Sequence, residues 1–301
     1  MSGLPILYAK IAGLSTRWDV SLHRRYGPVV RLGPNELSYS DPTSWRQIYA
    51  RLPILRRDQS FYEAFNHKGA APSLVTADDK THAKIRRAYF RVFSPAAIIE
   101  QQPIMLKHVT NMLQKLYDLS GQKVKISEIF SFVTADIGFD LQCGRPLHLL
   151  DDAAHRPWVE NHFRLVRSLT ILGAIAELPL LRAIFHLAPL QLIKLARDFH
   201  FGWMNEMLEQ RLRTETDRPD IVQFVMQQSI PELSMSEEEL HANLPIILVA
   251  QTDTVTSALS GLIACLMNAP KIHLQLKEEV RSTFQSRFDI NMKKWEGMRV
   301  A

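Results

Sequence analysis

The chain has 301 residues, 46% of them apolar and 22% charged, which excludes a disordered polypeptide and leaves ample material for a core. The net charge of +5 is scattered, with no Lys/Arg run interleaved with aromatics, so nucleic acid is not an expected partner. Two cysteines, Cys143 and Cys265, exclude a disulfide framework and a zinc site, and their apolar surroundings read as buried free thiols in a reducing compartment.

Glycine is sparse and strand-type alternation is rare, so the fold class is mainly α with a small β hairpin. The start has no basic region followed by a long apolar run, and Leu4 to Leu14 is too short to span a bilayer. Asp19 to Tyr26 is helical and ends before Gly27-Pro28. Val29 to Leu32, the turn Gly33-Pro34-Asn35 and Glu36 to Ser40 form the hairpin. Asp41-Pro42 opens a short helix, a second spans Asp79 to Phe93, and Ser94-Pro95 caps a long one reaching Leu119. Another runs from Ser127 to Leu141. Leu169 to Ile193 is very apolar but holds Glu177, Arg182, Pro179 and Pro189, so it reads as two short helices rather than a span. Residues 171–193 either pack in the core or rest peripherally on a membrane surface. Helices then cover Pro189 to Arg213, Ile221 to Gln228, a long segment after the capping box Ser236-Glu237-Glu238-Glu239, and Pro270 to Phe284.

The long segment is the most informative. Leu244 to Met267 is apolar nearly all round, which predicts burial, yet its middle reads Ala250-Gln251-Thr252-Asp253-Thr254-Val255. An acid followed by a hydroxyl at that depth suggests proton handling in a closed pocket. The alternative is that Thr252 or Asp253 caps a helix starting at Thr254. Earlier in the chain, His82 and Arg86 stand one turn apart, either as paired donors to an anion or as part of an exposed basic face.

Four segments in order resemble the haem-thiolate monooxygenases, cytochrome P450, of fungal secondary metabolism. Tyr26 to Leu37 resembles the family's first hairpin. His82-x-x-x-Arg86 resembles the helix that contacts the haem propionates. Asp140 to Leu147 resembles a family segment with Phe where Cys143 stands. Ala250 to Val255 resembles the central helix over the haem, with Gln251 where Gly or Ala is usual and its side chain reaching into the oxygen groove. The resemblance covers residues 20 to 290.

The resemblance implies that Asp253 and Thr254 are catalytic, Asp253 relaying protons and Thr254 hydrogen-bonding the dioxygen under cleavage. It implies that His82 and Arg86 bind the cofactor, haem, on the same side as that pair. It also implies a cysteine thiolate on the iron, in a Phe-x-x-Gly-x-x-x-Cys-x-Gly loop after a Glu-x-x-Arg pair. Neither Cys143 nor Cys265 sits in such a loop, so no metal ligand is assigned and a haem-thiolate centre in residues 1–301 is not expected, whether or not haem is bound in another way. The chain stops at Ala301, before both elements, without a membrane anchor. The expectation is therefore a single incomplete domain, residues 1–301, with a premature stop near codon 295: a truncated, inactive relative of enzymes that oxidise small lipophilic metabolites using an NADPH-dependent reductase, cytoplasmic or peripheral at the endoplasmic reticulum. Two alternatives stand beside it: an active monooxygenase whose remaining residues are lost from this sequence, and a non-catalytic helical binding protein.

Overall fold

A computed structural model of the chain describes residues 3–51, 53, 55, 62, 71–176, 191–216, 218–227, 233–286 and 289–290. The described residues form α1 (Leu4–Ile11), α2 (Ser15–Tyr26), β1 (Val29–Gly33), β2 (Glu36–Tyr39), α3 (Pro42–Tyr49), α4 (Asp79–Phe90), α5 (Pro95–Asp118), α6 (Ile126–Cys143), α7 (Arg156–Ala176), α8 (Gln191–Leu212), α9 (Ile221–Met226), α10 (Glu237–Asn268) and α11 (Pro270–Thr283). The mainly α class with one hairpin holds. The first of the two short helices expected from Leu169 is the later part of α7, a 21-residue helix that already begins at Arg156; the other elements expected within the described residues are found within a few positions of their predicted ends. Residues 177–190, most of the segment read as a membrane contact, lie outside the described residues.

The chain divides into two compact units, Met1–Thr76 with Phe163–Phe199, and Ala77–His162 with His200–Ala301. In the first, β1 and β2 pair antiparallel, Val30 opposite Ser38 and Arg31 opposite Leu37. Ile6, Val30 and Leu32 form a small core against which Trp18 and Leu22 pack. His23 joins α2 to the hairpin, with Nδ1 at 2.9 Å from Gly27 O and Nε2 at 2.8 Å from Ser38 Oγ.

The second unit is built around α6, whose residues are buried on almost every side from Ile129 to Cys143. Helices α5, α9 and α10 pack on it. Side chains fix the helix starts that the sequence marks. Asp78 Oδ1 accepts from Thr81 N at 2.7 Å, and Asp220 Oδ1 from Gln223 N at 2.8 Å. Ser236 and Glu239 form a reciprocal capping box, Glu239 N donating to Ser236 Oγ and Ser236 N to Glu239 Oε2. After α6, Gly144 adopts the left-handed conformation at φ 66°, and Asp136 holds the returning chain by accepting from Leu147 N and Leu149 N at 2.8 and 2.9 Å. Burial raises the Asp136 carboxyl above its ordinary range, and these two bonds work against that rise.

Candidate functional site

The polar patch lies within one unbroken helix. Helix α10 runs through Thr252 to Val255 without a break, so neither Thr252 nor Asp253 is a cap. The reason lies in its seam with α6. Gly138 lets the two helices approach until Leu248 Cδ1 and Gln251 Nε2 occupy the space that a Cβ at 138 needs. One turn further along α6, the buried Gln142 amide donates to Leu244 O and accepts from Leu248 N, each at 3.0 Å. On the other side, Thr134 Oγ1 lies 2.8 Å from Thr256 Oγ1 and 3.5 Å from Thr252 O. Thr252 is buried and donates its hydroxyl to Leu248 O at 2.8 Å. These contacts pair the buried polar side chains of Thr134, Gln142, Thr252 and Thr256 within the seam, as burial requires.

Four expectations about this helix need correction. Its apolar character does not bury it throughout. Leu240, Leu244, Ile247 and Leu248 are buried, but Leu262 is 51% exposed and Met267 77% exposed. Helix α10 is long and apolar enough to cross a membrane by length and composition, and only 17% of its most apolar window is buried. Cys265, expected to be buried, is exposed on the same stretch. The patch sits at the boundary between the two regimes. Asp253 is half-buried, while Thr254 is exposed and donates back to Ala250 O at 2.7 Å. The enclosed setting expected for Thr254 is therefore not found among the described residues. Gln251 also differs from expectation, because its amide is directed at Gly138 on α6.

A residue that the sequence did not single out lies within electrostatic reach of Asp253. His162, in the first part of α7, is wholly buried and stacks on Trp158 with ring centroids 5.6 Å apart. Trp158 in turn contacts Phe139 and Trp203. Burial disfavours the imidazolium and pushes His162 down to about 4, and the Asp253 carboxylate pulls the other way. His162 is thus a neutral ring within the electrostatic reach of the patch. Nothing in its local sequence, Glu160-Asn161-His162-Phe163, marks it; only the tertiary neighbour does.

His82 and Arg86 belong to the same unit on α4. The buried face of that helix is Ile85, Ala88 and Tyr89; His82 is half-buried beside it and Arg86 is exposed. Between them Lys84 reaches the start of α10, with Nζ 2.8 and 2.9 Å from the two Glu239 oxygens. Asp253 lies about 21 Å of helical rise beyond Glu239. The two predicted pairs therefore share a unit, each on its own helix, and no described contact joins them.

Among the described residues neither cysteine is placed as a thiolate ligand. Cys143 is buried at the end of α6, where burial, with Asp220 adding to it, pushes the thiol up to about 12. Cys265 lies mid-helix on α10, not in a loop. Neither presents a thiolate to a macrocycle.

The family model for cytochrome P450 matches residues 9–301. The chain belongs to the cytochrome P450 family. It is 30% identical over 298 residues to the cytochrome P450 monooxygenase aneG of Aspergillus aculeatus, covering 97% of this chain and 56% of that protein. It is 30% identical to trichothecene C-15 hydroxylase of Fusarium sporotrichioides, with 98% of this chain and 61% of that protein covered. Averantin hydroxylase of Dothistroma septosporum is also 30% identical, over 97% of this chain and 55% of that protein. Among solved structures, the haem domain of cytochrome P450DA aligns with a TM-score of 0.74 at 14% identity, covering 93% of this chain and 62% of that one. A retinoic-acid-bound cyanobacterial member aligns with a TM-score of 0.67 at 17% identity, covering 91% of this chain and 60% of that one. The chain thus spans rather more than half the length of these relatives.

Proposed function

We propose that residues 1–301 carry the helix that handles protons in a monooxygenase acting on a small lipophilic metabolite of fungal secondary metabolism. The observation that supports this reading is the unbroken α10 with Asp253 and Thr254 side by side, in a chain matched to the family over residues 9–301. In this reading Asp253 accepts and passes protons, Thr254 offers the adjacent hydroxyl, and His82 and Arg86 donate to the carboxylates of the haem. Electrons come from an NADPH-dependent reductase, and the protein works in the cytoplasm or peripherally at the endoplasmic reticulum. The whole reaction needs an iron ligand that neither Cys143 nor Cys265 supplies, so residues 1–301 by themselves are inactive. The test is to express residues 1–301 with haem supplied, reduce, and add carbon monoxide. The expected spectrum lacks the strongly red-shifted Soret band of thiolate ligation; its appearance overturns the inactivity of residues 1–301.

A second reading, a non-catalytic helical protein that binds a lipophilic ligand, rests on the exposed apolar side chains of α10 and α11, Leu262, Met267, Ile272 and Leu274. Saturable, stoichiometric binding of a lipophilic fluorescent probe by the folded monomer favours it over the first.

A further inference from the structure

The second unit carries a cleft that plays no part in the reading above. It lies where the end of α6 meets the end of α8 and the start of α9, and it holds about 330 Å3. Arg145, Arg211 and Arg218 line it, with Thr214 and Thr216, and Asp220 is the one carboxylate among the described lining residues.

Donors outnumber acceptors there. Asp220 is fully engaged: Oδ2 accepts from Arg211 Nε at 2.7 Å, and Oδ1 accepts from Arg211 Nη2 at 3.1 Å and Gln223 N at 2.8 Å. Arg211 also donates to Thr214 O at 2.9 Å, so this buried pair is self-contained. Arg218 donates through Nη2 to Asp140 Oδ1, and the other Asp140 oxygen takes His108 Nε2 at 2.8 Å. Arg218 Nε is buried and meets no acceptor among the described residues. Arg145 is exposed, and its described partner is the neutral Gln210 side chain. Thr216 Oγ1 accepts from Arg218 N at 3.2 Å, which leaves its own proton to donate. Two guanidiniums and a hydroxyl thus keep unused donors, while both oxygens of Asp140 and both of Asp220 are taken.

The fold sets these groups in place. The left-handed turn at Gly144 carries the chain from the buried end of α6 to Arg145. A Cβ at 144 would lie 3.2 Å from Asp220 Oδ2 and 3.3 Å from Arg218 Cδ, so the backbone itself closes one wall of the cleft.

We propose that this cleft binds a phosphate or sulfate group, held by Arg145, Arg218 and Thr216. Guanidinium forks match the oxygens of such groups and make the strongest kind of charge-assisted bond. The volume exceeds that of the bare ion, which leaves room for the organic part of a small ester. Occupation adds a bridge between elements already joined by the Asp140 and Asp220 pairs and by Arg145 to Gln210.

The test titrates residues 1–301 with inorganic phosphate and then with phenyl phosphate at constant ionic strength, following thermal melting and 31P line width. The expected result is a saturable rise in melting temperature that chloride does not reproduce. Arg145→Ala leaves both buried ion pairs intact and weakens the effect about tenfold; Arg145→Lys keeps the charge but loses the fork, and weakens it less. Tighter binding of phenyl phosphate supports the site and identifies an ester as its ligand; equal binding supports it and identifies the free ion. Absence of saturation, or identical binding by wild type and Arg145→Ala, overturns the proposal.

Discussion

The two halves of α10 are similarly apolar in sequence and differently treated by the fold. From Leu240 to Leu248 the helix lies against α6, with Leu240, Leu244 and Leu248 almost wholly buried. In the half from Val255 to Met267, Val255 is 44%, Leu262 51% and Met267 77% exposed, while Leu259, Ile263 and Leu266 are half-buried. Hydrophobicity therefore sets how much a helix gains from a partner, and a specific surface decides where it gains it. Here the surface is made by Gly138 and Gln142, which open a groove on α6 for one half only.

The sharpest way to break this comparison is a pair of truncations. Leu248→Ala removes a fully buried side chain from the seam and is expected to cost about 2–5 kcal/mol. Leu262→Ala should change stability by less than about 0.5 kcal/mol. Equal losses in urea unfolding would mean that the second half is covered in solution.

Acid sharpens the comparison at the boundary. In the native state His162 titrates only at about 4, while the unfolded chain takes up a proton near 6.5. Between those values the unfolded state binds more protons, so this contribution to stability is complete above 6.5 and is lost as pH falls towards 4. The loss amounts to roughly 3 kcal/mol over that window. His162→Phe keeps the stack on Trp158 and removes the titrating ring. Wild type should therefore lose roughly 2–3 kcal/mol more than the variant between pH 7 and 4.5. Parallel pH profiles for the two proteins would show that His162 is not held neutral.

Glycine substitutions give a contrast of opposite sign, each change being modest. Gly138→Ala forces Leu248 and Gln251 to move and should destabilise by about 1–3 kcal/mol. At Gly261 a methyl group would meet nothing within 4 Å, so Gly261→Ala should stabilise α10 by about 0.5–1 kcal/mol. Thermal melts of the two variants moving in the same direction would refute the division of the helix.

Local chemistry made most elements legible. Asp41-Pro42, Ser94-Pro95, Asp220 and the Ser236–Glu239 box each mark a helix start that the structure has, because capping is decided within four residues. The Gly33-Pro34-Asn35 turn did the same for the hairpin. Helix α1 was not assigned, since its eight residues carry little periodicity. What escaped was everything decided by a neighbour distant in the chain. The exposure of Cys265 and Thr254, the turn of Gln251 towards α6 and the approach of His162 to Asp253 depend on which helix lies alongside, and composition is silent on that. The resemblance reached His82, Arg86, Asp253 and Thr254 through motif order, a signal that fixes position along a chain and not distance across a fold.

The Gln142 amide has one more consequence. By gripping Leu244 O and Leu248 N together, it fastens α6 to a single level of α10. Sliding either helix by one residue shifts that level by about 1.5 Å and breaks both bonds at once. The side chain thus acts as an axial stop. It fixes the height at which Asp253 stands, a turn and a half further on, and it does so from the back of the helix, where a ligand cannot reach it.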